Sequence, residues 1–165
     1  MEFRKLSNRQ SVDLLPYAID FLKAHPDHKI YVGSDSQNDK RSTVYVTVIV
    51  FHSELSGGHV LYSKKIIPRI SDRFTRLWKE VELSIEAAEQ LKTLGLPPIE
   101  SIDLDLNPDP KYGSNNVLRS AVGYVESLGY KWRIKPDSPM ASCVADSIAS
   151  PNKTSRRKAN ELLSV

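Results

Sequence analysis

The residues in this sequence best suited to chemistry are acids set among small or apolar neighbours. Ile30 to Gln37 reads IYVGSDSQ, an apolar run that stops at glycine, serine and an acid. Gly33 stands two residues before Asp35 on the same face of an extended strand, and leaves that face open to close approach by a ligand or a metal. In IDLDLN, Asp103 and Asp105 alternate with Ile102, Leu104 and Leu106. Both acids therefore share one face of a strand whose other face is apolar, with Asp105 nearer the end. Glu80 has Ser84, Ala87 and Ala88 at four, seven and eight positions beyond it, a small-residue side that permits close packing on a sheet. Glu82 and Glu86 read as more solvated. Asp146 is flanked at helical spacing by Ser142, Cys143, Ala149 and Ser150, again a face of small residues.

Each acid also has a purely structural reading. Asp35 suits a cap for the turn SDSQNDK. Glu80 is one helix acid among Glu82, Glu86 and Glu89. Asp105 competes with Asp103 and with Asp109 of the proline-stiffened NPDP turn, and Asp146 reads equally as a surface acid near a helix end. Other chemistries fit less well. His25, His28, His52 and His59 lack the helical two-histidine spacing of a zinc hydrolase. Cys143 has no histidine near it in sequence and reads as a small buried residue. Ser34, Ser36 and Ser138 do not match the strand-to-helix nucleophile elbow, which needs glycine on both sides of a serine.

A second feature concerns binding. From Lys64 to Lys79 the segment KKIIPRISDRFTRLWK carries Lys64, Lys65, Arg69, Arg73, Arg76 and Lys79 against one acid, Asp72. Arg69, Arg73 and Arg76 can line one side of the chain as it enters a helix and meet phosphates, while Phe74 or Trp78 stacks on a base or sugar. The competing reading makes Phe74 and Trp78 core residues and the arginines a solvated face. Lys135 in KPDS is a further candidate contact to phosphate or to a carboxylate, and Lys153, Arg156, Arg157 and Lys158 form a basic cluster in the tail.

The elements that must position these residues follow from periodicity. A leading helix spans Ser11 to Ala24, with Pro16 near its first turn. Strands cover Lys29 to Asp35, Thr43 to His52 and His59 to Ile67, the last two joined as a hairpin through Ser56-Gly57-Gly58. A long helix runs from Ser71 to Leu94 and stops at Gly95. A strand from Ile99 to Leu106 follows, then a helix from Ser114 to Leu128 closed by Gly129, a strand from Tyr130 to Lys135, and a helix from Ser138 to Ala149. Ser138 is its N-cap, with Pro139 at the first helical position. This order predicts an α/β fold with a mixed sheet and helices on both faces.

Size and composition set the remaining bounds. The 165 residues, 40% hydrophobic and 26% charged, fit one globular domain, residues 1–165, with a core at about 29–150 and a basic C-terminal appendage at 151–165. One cysteine forms no internal disulfide, and the start MEFRKLSNRQ lacks the apolar core of a signal peptide, so a cytoplasmic protein is expected. VYVTVIVF is far shorter than the roughly 20 residues that span a bilayer. A net charge of +3 is compatible with polyanionic partners without requiring them.

With GSDSQ ending the first long strand, Glu80 in KEVELS, LDLN closing the fourth strand and KPDSPMASCVAD opening the last helix, the chain resembles the RNase H-like superfamily. More closely it resembles the YkuK-type bacterial family of predicted nucleases. The resemblance covers about residues 29 to 150 and implies a three-layer fold around a five-stranded mixed sheet. In catalytic members the acids come from the first strand, the first core helix, the fourth strand and a late helix. These carry over to Asp35, Glu80, Asp105 and Asp146 as catalytic and metal-binding residues.

Carboxylates that converge on one pocket repel one another and take up protons unless a cation holds them. Two ions of magnesium or manganese, roughly 3.5 to 4 Å apart, would hold them and serve hydrolysis of a phosphodiester. The implied function is a metal-dependent nuclease acting on RNA, DNA or a hybrid, with Arg69, Arg73, Arg76 and Lys135 contacting the nucleic acid and no membrane involved. A catalytically silent nucleic-acid-binding or protein-interaction module on the same fold is the alternative. Replacement of Asp103, Glu82 or Glu86 is expected to be mild.

Overall fold

The computed structural model describes residues 1–92, 96–111, 113–135, 137, 140–149, 157, 160, 161 and 163. β-Branched and aromatic residues crowd the middle of the chain and form three long strands there, β3 (Lys29–Asn38), β4 (Ser42–Ser53) and β5 (Gly57–Pro68). Before them come β1 (Phe3–Lys5), β2 (Ser11–Val12) and α1 (Leu14–Ala24). After them come α2 (Arg73–Leu91), β6 (Ile99–Leu104), α3 (Asn115–Ser127), β7 (Trp132–Arg133) and α4 (Met140–Ala149). The strands form one sheet in the order β2-β1-β5-β4-β3-β6-β7. β4 is antiparallel to both β3 and β5, whereas β6 runs parallel to β3 and to β7.

The expected mixed sheet is present, but it has seven strands rather than five. The additional two are β1 and β2, which pair with each other, while β1 also pairs with Leu61 and Tyr62 of β5. Strands of three and two residues carry too little alternation to read from sequence. Ser11 and Val12 belong to this hairpin, so α1 begins at Leu14 rather than at Ser11. Pro16 is then its third residue, where a missing N–H removes no helical hydrogen bond.

Both faces of the sheet are covered. α1, α2 and α3 place Leu14, Ala18 and Leu22, then Leu77, Val81 and Ile85, then Val117, Ala121 and Val125 in a core with Ile30, Val32, Ile49 and Phe51. The four-residue spacing of these groups is the helical stripe that sequence alone suggests. On the opposite face Met140, Ala141, Val144 and Ala145 of α4 pack on Tyr31, Val46, Val48 and Val50. Gly33 explains how α4 comes so close. A Cβ there would lie 2.8 Å from the Ser142 backbone nitrogen, so the open face read as a place for a ligand is filled by the helix backbone.

Asp72 caps α2, its carboxylate accepting from the Thr75 N–H at 2.7 Å. Gly129, with φ of +82°, ends α3 as expected. The helix stop at Gly95, the Ser138 cap, Pro139 and the tail residues Lys153, Arg156 and Lys158 lie outside the described residues. Arg157 is exposed and sits 3.4 Å from Glu161.

Candidate functional site

β3 and β6 run side by side, with Gly33 opposite Asp103 and Ser34 opposite Leu104. The next residues, Asp35 and Asp105, therefore emerge together where β6 ends. Alternation turns Asp35 and Gly33 to the α4 face, where Asp146 belongs, and turns Ser36 to the α2 face, where Glu80 waits. Burial above all, and then the charges of Asp105 and Asp146, push the Asp35 carboxyl up to about 7. Glu80 is raised well above the usual carboxylate range, by burial first and by Asp35 next, with Asp105 contributing. Asp35 thus feels the charge of Asp105 and Asp146, and Glu80 that of Asp35 and Asp105. Glu82, the competing helix acid, faces elsewhere and accepts from Trp78 Nε1 at 3.1 Å and Lys79 Nζ at 2.9 Å.

Two of the expected nucleic-acid contacts are turned toward these acids. Arg76 Nη1 donates to the Ser36 carbonyl at 3.0 Å and to Ser36 Oγ at 2.7 Å, and lies 3.8 Å from Glu80 Oε1. Ser36 Oγ in turn donates to Glu80 Oε1 at 2.5 Å. Lys135 Nζ sits 2.5 Å from Asp105 Oδ1. Partial burial draws the Lys135 ammonium down, but its hydrogen bond and ion pair with Asp105 prevail and leave it raised. Arg69 and Arg73 are exposed, Arg69 donating to the Asp39 carbonyl at 2.8 Å and Arg73 lying against Gly113. Phe74 stacks on Trp78 with ring planes 5° apart, and Trp78 stacks on Tyr124 at 5.6 Å. Phe74 is 46% exposed, so it is not the core residue of the competing reading.

Asp103 corrects an expectation. It is fully buried and accepts from Arg133 Nε at 2.9 Å and Arg133 Nη2 at 2.8 Å, a two-pronged pair. Ser101 Oγ donates to it at 2.7 Å, and the Ala141 backbone N–H at 2.8 Å. One carboxylate therefore ties β6 to β7 and to the first turn of α4, so its replacement is a structural injury and not a mild change. Sequence reasoning missed Arg133 and the role of Ser36 as the clasp on Glu80. Alternation along β3 carried a signal for Ser36, since it must face opposite to Asp35. Nothing local links Arg133 to Asp103.

Among the described residues no three histidine, cysteine, aspartate or glutamate side chains are gathered tightly enough to hold a metal ion. The chemistry of the donor set nevertheless suits one. Asp35, Glu80, Asp105 and Asp146 offer only carboxylate oxygens, the hard ligands that magnesium and manganese prefer. Two of them are pushed toward protonation by burial and then by neighbouring acids, which is the electrostatic state a divalent cation relieves.

The family model described as ribonuclease H-like matches residues 17–150. The chain belongs to the ribonuclease H-like family. The ribonuclease H-like match begins within α1, runs through α4 and takes in all four carboxylates, and leaves the β1–β2 hairpin outside. Comparison with curated proteins and with solved structures gave no match. Among the described residues no helix is long and apolar enough to cross a membrane.

Proposed function

We propose that this ribonuclease H-like chain is a divalent-metal-dependent nuclease that hydrolyses phosphodiester bonds in nucleic acid. The observation that carries the proposal is the electrostatic state of Asp35 and Glu80. Both are carboxyls held far from their ordinary ionisation by burial first and by other acids next, an arrangement that costs stability and has no use in the core. Asp35, Glu80, Asp105 and Asp146 would hold magnesium or manganese. Bound there, the metal would supply activation of the attacking water and stabilisation of the leaving oxygen.

The remaining roles belong to the chain. Ser36 and Arg76 fix the Glu80 carboxylate from one side, so its orientation is set before substrate arrives. Lys135 tempers the charge of Asp105 and keeps a cation at the rim, where a phosphate must approach a group of acids. Arg69 and Arg73 are the exposed cations in line to meet the phosphate backbone.

One observation favours a second reading, a catalytically silent nucleic-acid-binding or protein-interaction module. Arg76 and Lys135 already occupy two of the four acids, as they would in a site that no longer takes metal. Calorimetric titration with magnesium and manganese, paired with cleavage assays on RNA, DNA and hybrid duplexes, separates the two. Millimolar or tighter metal binding with cleavage lost in Asp35→Asn supports the nuclease. Nucleic-acid binding with neither metal uptake nor turnover supports the module.

A further inference from the structure

The edge of the sheet at β5 is only half covered. β1 pairs with Leu61 and Tyr62, and Leu6 N–H reaches the Val60 carbonyl at 2.9 Å. Beyond Tyr62, β5 continues to Pro68 with β4 on its inner side and, among the described residues, no strand on its outer side. Such an edge presents backbone donors and acceptors in alternation. Two cavities flank it, one on each face of the sheet. That on the α2 face is about 580 Å³ and is lined by Tyr45, Ser63, Lys65, Leu83 and Glu86 among others. The cavity on the α4 face is about 560 Å³ and is lined by Arg4, Arg9, Lys64, Val144 and Ile148 among others. Ile66, at the first of them, is 63% exposed.

We infer that this edge takes an extended acidic peptide as an eighth strand. A strand added there sends alternate side chains to opposite faces, which is where the two cavities lie. Charge selects the occupant. Arg4, Arg9, Lys64 and Lys65 line the two cavities against Glu2 and Glu86. Arg4 is 3.1 Å from Glu2, whereas Arg9, Lys64 and Lys65 have no ion-pair partner among the described residues. A second copy of the chain fits poorly, since antiparallel pairing centred on Lys64 and Lys65 would set lysine against lysine. A nucleic-acid backbone would use the lysines but leave the β5 carbonyls unmatched, because phosphate only accepts hydrogen bonds. The inference is independent of the carboxylate centre.

The test uses three fluorescein-labelled peptides of about eight residues, long enough for one edge. One alternates Glu and Val, another Lys and Val, and a third repeats the acidic peptide with proline at its centre. Anisotropy should show the acidic peptide binding, and the basic and proline peptides weaker by roughly tenfold or more. Amide hydrogen exchange should slow at residues 63–67 in the complex, and Lys64→Glu with Lys65→Glu should reverse the charge preference. Lys64→Ala with Lys65→Ala, checked for an unchanged melting temperature, should weaken only the acidic peptide. Asp35→Asn should bind it as well as the parent chain. Absence of binding would mean that the lysines merely guard the edge, and equal binding of both charges would remove the recognition. A concentration-dependent dimer that blocks the peptide, or displacement by an equally charged single-stranded oligonucleotide without protection of residues 63–67, would also overturn it.

Discussion

The two ends of β3 gather opposite chemistries and treat charge in opposite ways. At the end near Asp35, acids are brought together and only partly neutralised, so burial raises Asp35 to about 7 and lifts Glu80 as well. At the end near Lys29, histidines meet among aromatic rings. Phe21 stacks on His25 at 4.4 Å and on His59 at 4.8 Å, and His25 meets His28 edge-on at 5.3 Å. Tyr17 Oη lies 2.9 Å from His59 Nε2, and Asp27 Oδ1 lies 3.2 Å from His28 Nδ1. Burial pulls His52 and His59 below the ordinary imidazole range, helped for His52 by His28 and for His59 by Lys5, His25 and His28. The histidine end answers burial by staying neutral, as a core does. The acid end sets its buried carboxyls against other acids, so they need a cation to stay ionised, as a binding site does, and that difference argues for function at one end and packing at the other.

The strongest way to break this contrast is Asp35→Asn. Loss of a carboxylate that holds metal should cut cleavage by about a thousandfold or more, since metal contributes several kcal/mol to the barrier. The same change should raise the melting temperature of the metal-free protein at pH 8, by about 2–4 °C for each kcal/mol of repulsion relieved. Cleavage lost together with stability would mean that Asp35 is a packing residue like the histidines.

A buried ion pair and a more exposed one also stand two residues apart. Asp103→Ala should destabilise the chain by about 3–5 kcal/mol, because it leaves the half-buried Arg133 guanidinium and the Ala141 N–H without their acceptor. Asp105→Ala should change stability far less, since its Lys135 partner is 42% exposed and returns to water. Denaturant unfolding of the two variants measures the difference, and equal losses would erase the distinction.

These pairs show what the sequence could carry. Local pattern put Asp35 at a strand end, Asp103 and Asp105 on one alternating face and Glu80 and Asp146 on stripes of small residues, while the choice of Asp105 over Asp103 and of Glu80 over its helix neighbours came from the family resemblance. Arg133 sits 30 positions from Asp103, and Arg76 is 40 from Ser36, so both contacts exist only because the sheet closes. Neither spacing has a period that could announce it. The inward turn of Arg76 was hidden for the same reason, whereas for Lys135 the sequence allowed a phosphate or a carboxylate partner without choosing between them.

Acidification should move the two ends in opposite directions. A carboxyl raised to about 7 contributes full stability below the ordinary carboxylate range and loses it as pH rises through 7. Histidines lowered by burial contribute above about pH 6.5 and lose that contribution as pH falls through their lowered values. In metal-free protein the two trends offset each other between pH 7 and 5. Asp35→Asn removes part of the first, so it should lose stability on acidification more steeply than the parent chain. Thermal unfolding from pH 8 to 5 reads the slopes, and parallel profiles would deny that the ends oppose each other.

The smallest effect concerns how Lys135 competes with metal. Its ammonium is 2.5 Å from Asp105 Oδ1, and a divalent cation drawing on Asp105 must displace or share that contact. Lys135→Met keeps a stem of similar length without the charge. The pair is 42% and 24% exposed at its two side chains, so it belongs with surface ion pairs worth about 0.2–1 kcal/mol. Metal affinity should therefore rise, but by no more than about fivefold. Nucleic-acid binding should fall at the same time and its salt slope should shrink by about one unit if the lysine also meets phosphate. Tighter metal with an unchanged salt slope would confine Lys135 to the acid end. Weaker metal would reverse its role, making it the cation that orients Asp105, as Arg133 orients Asp103.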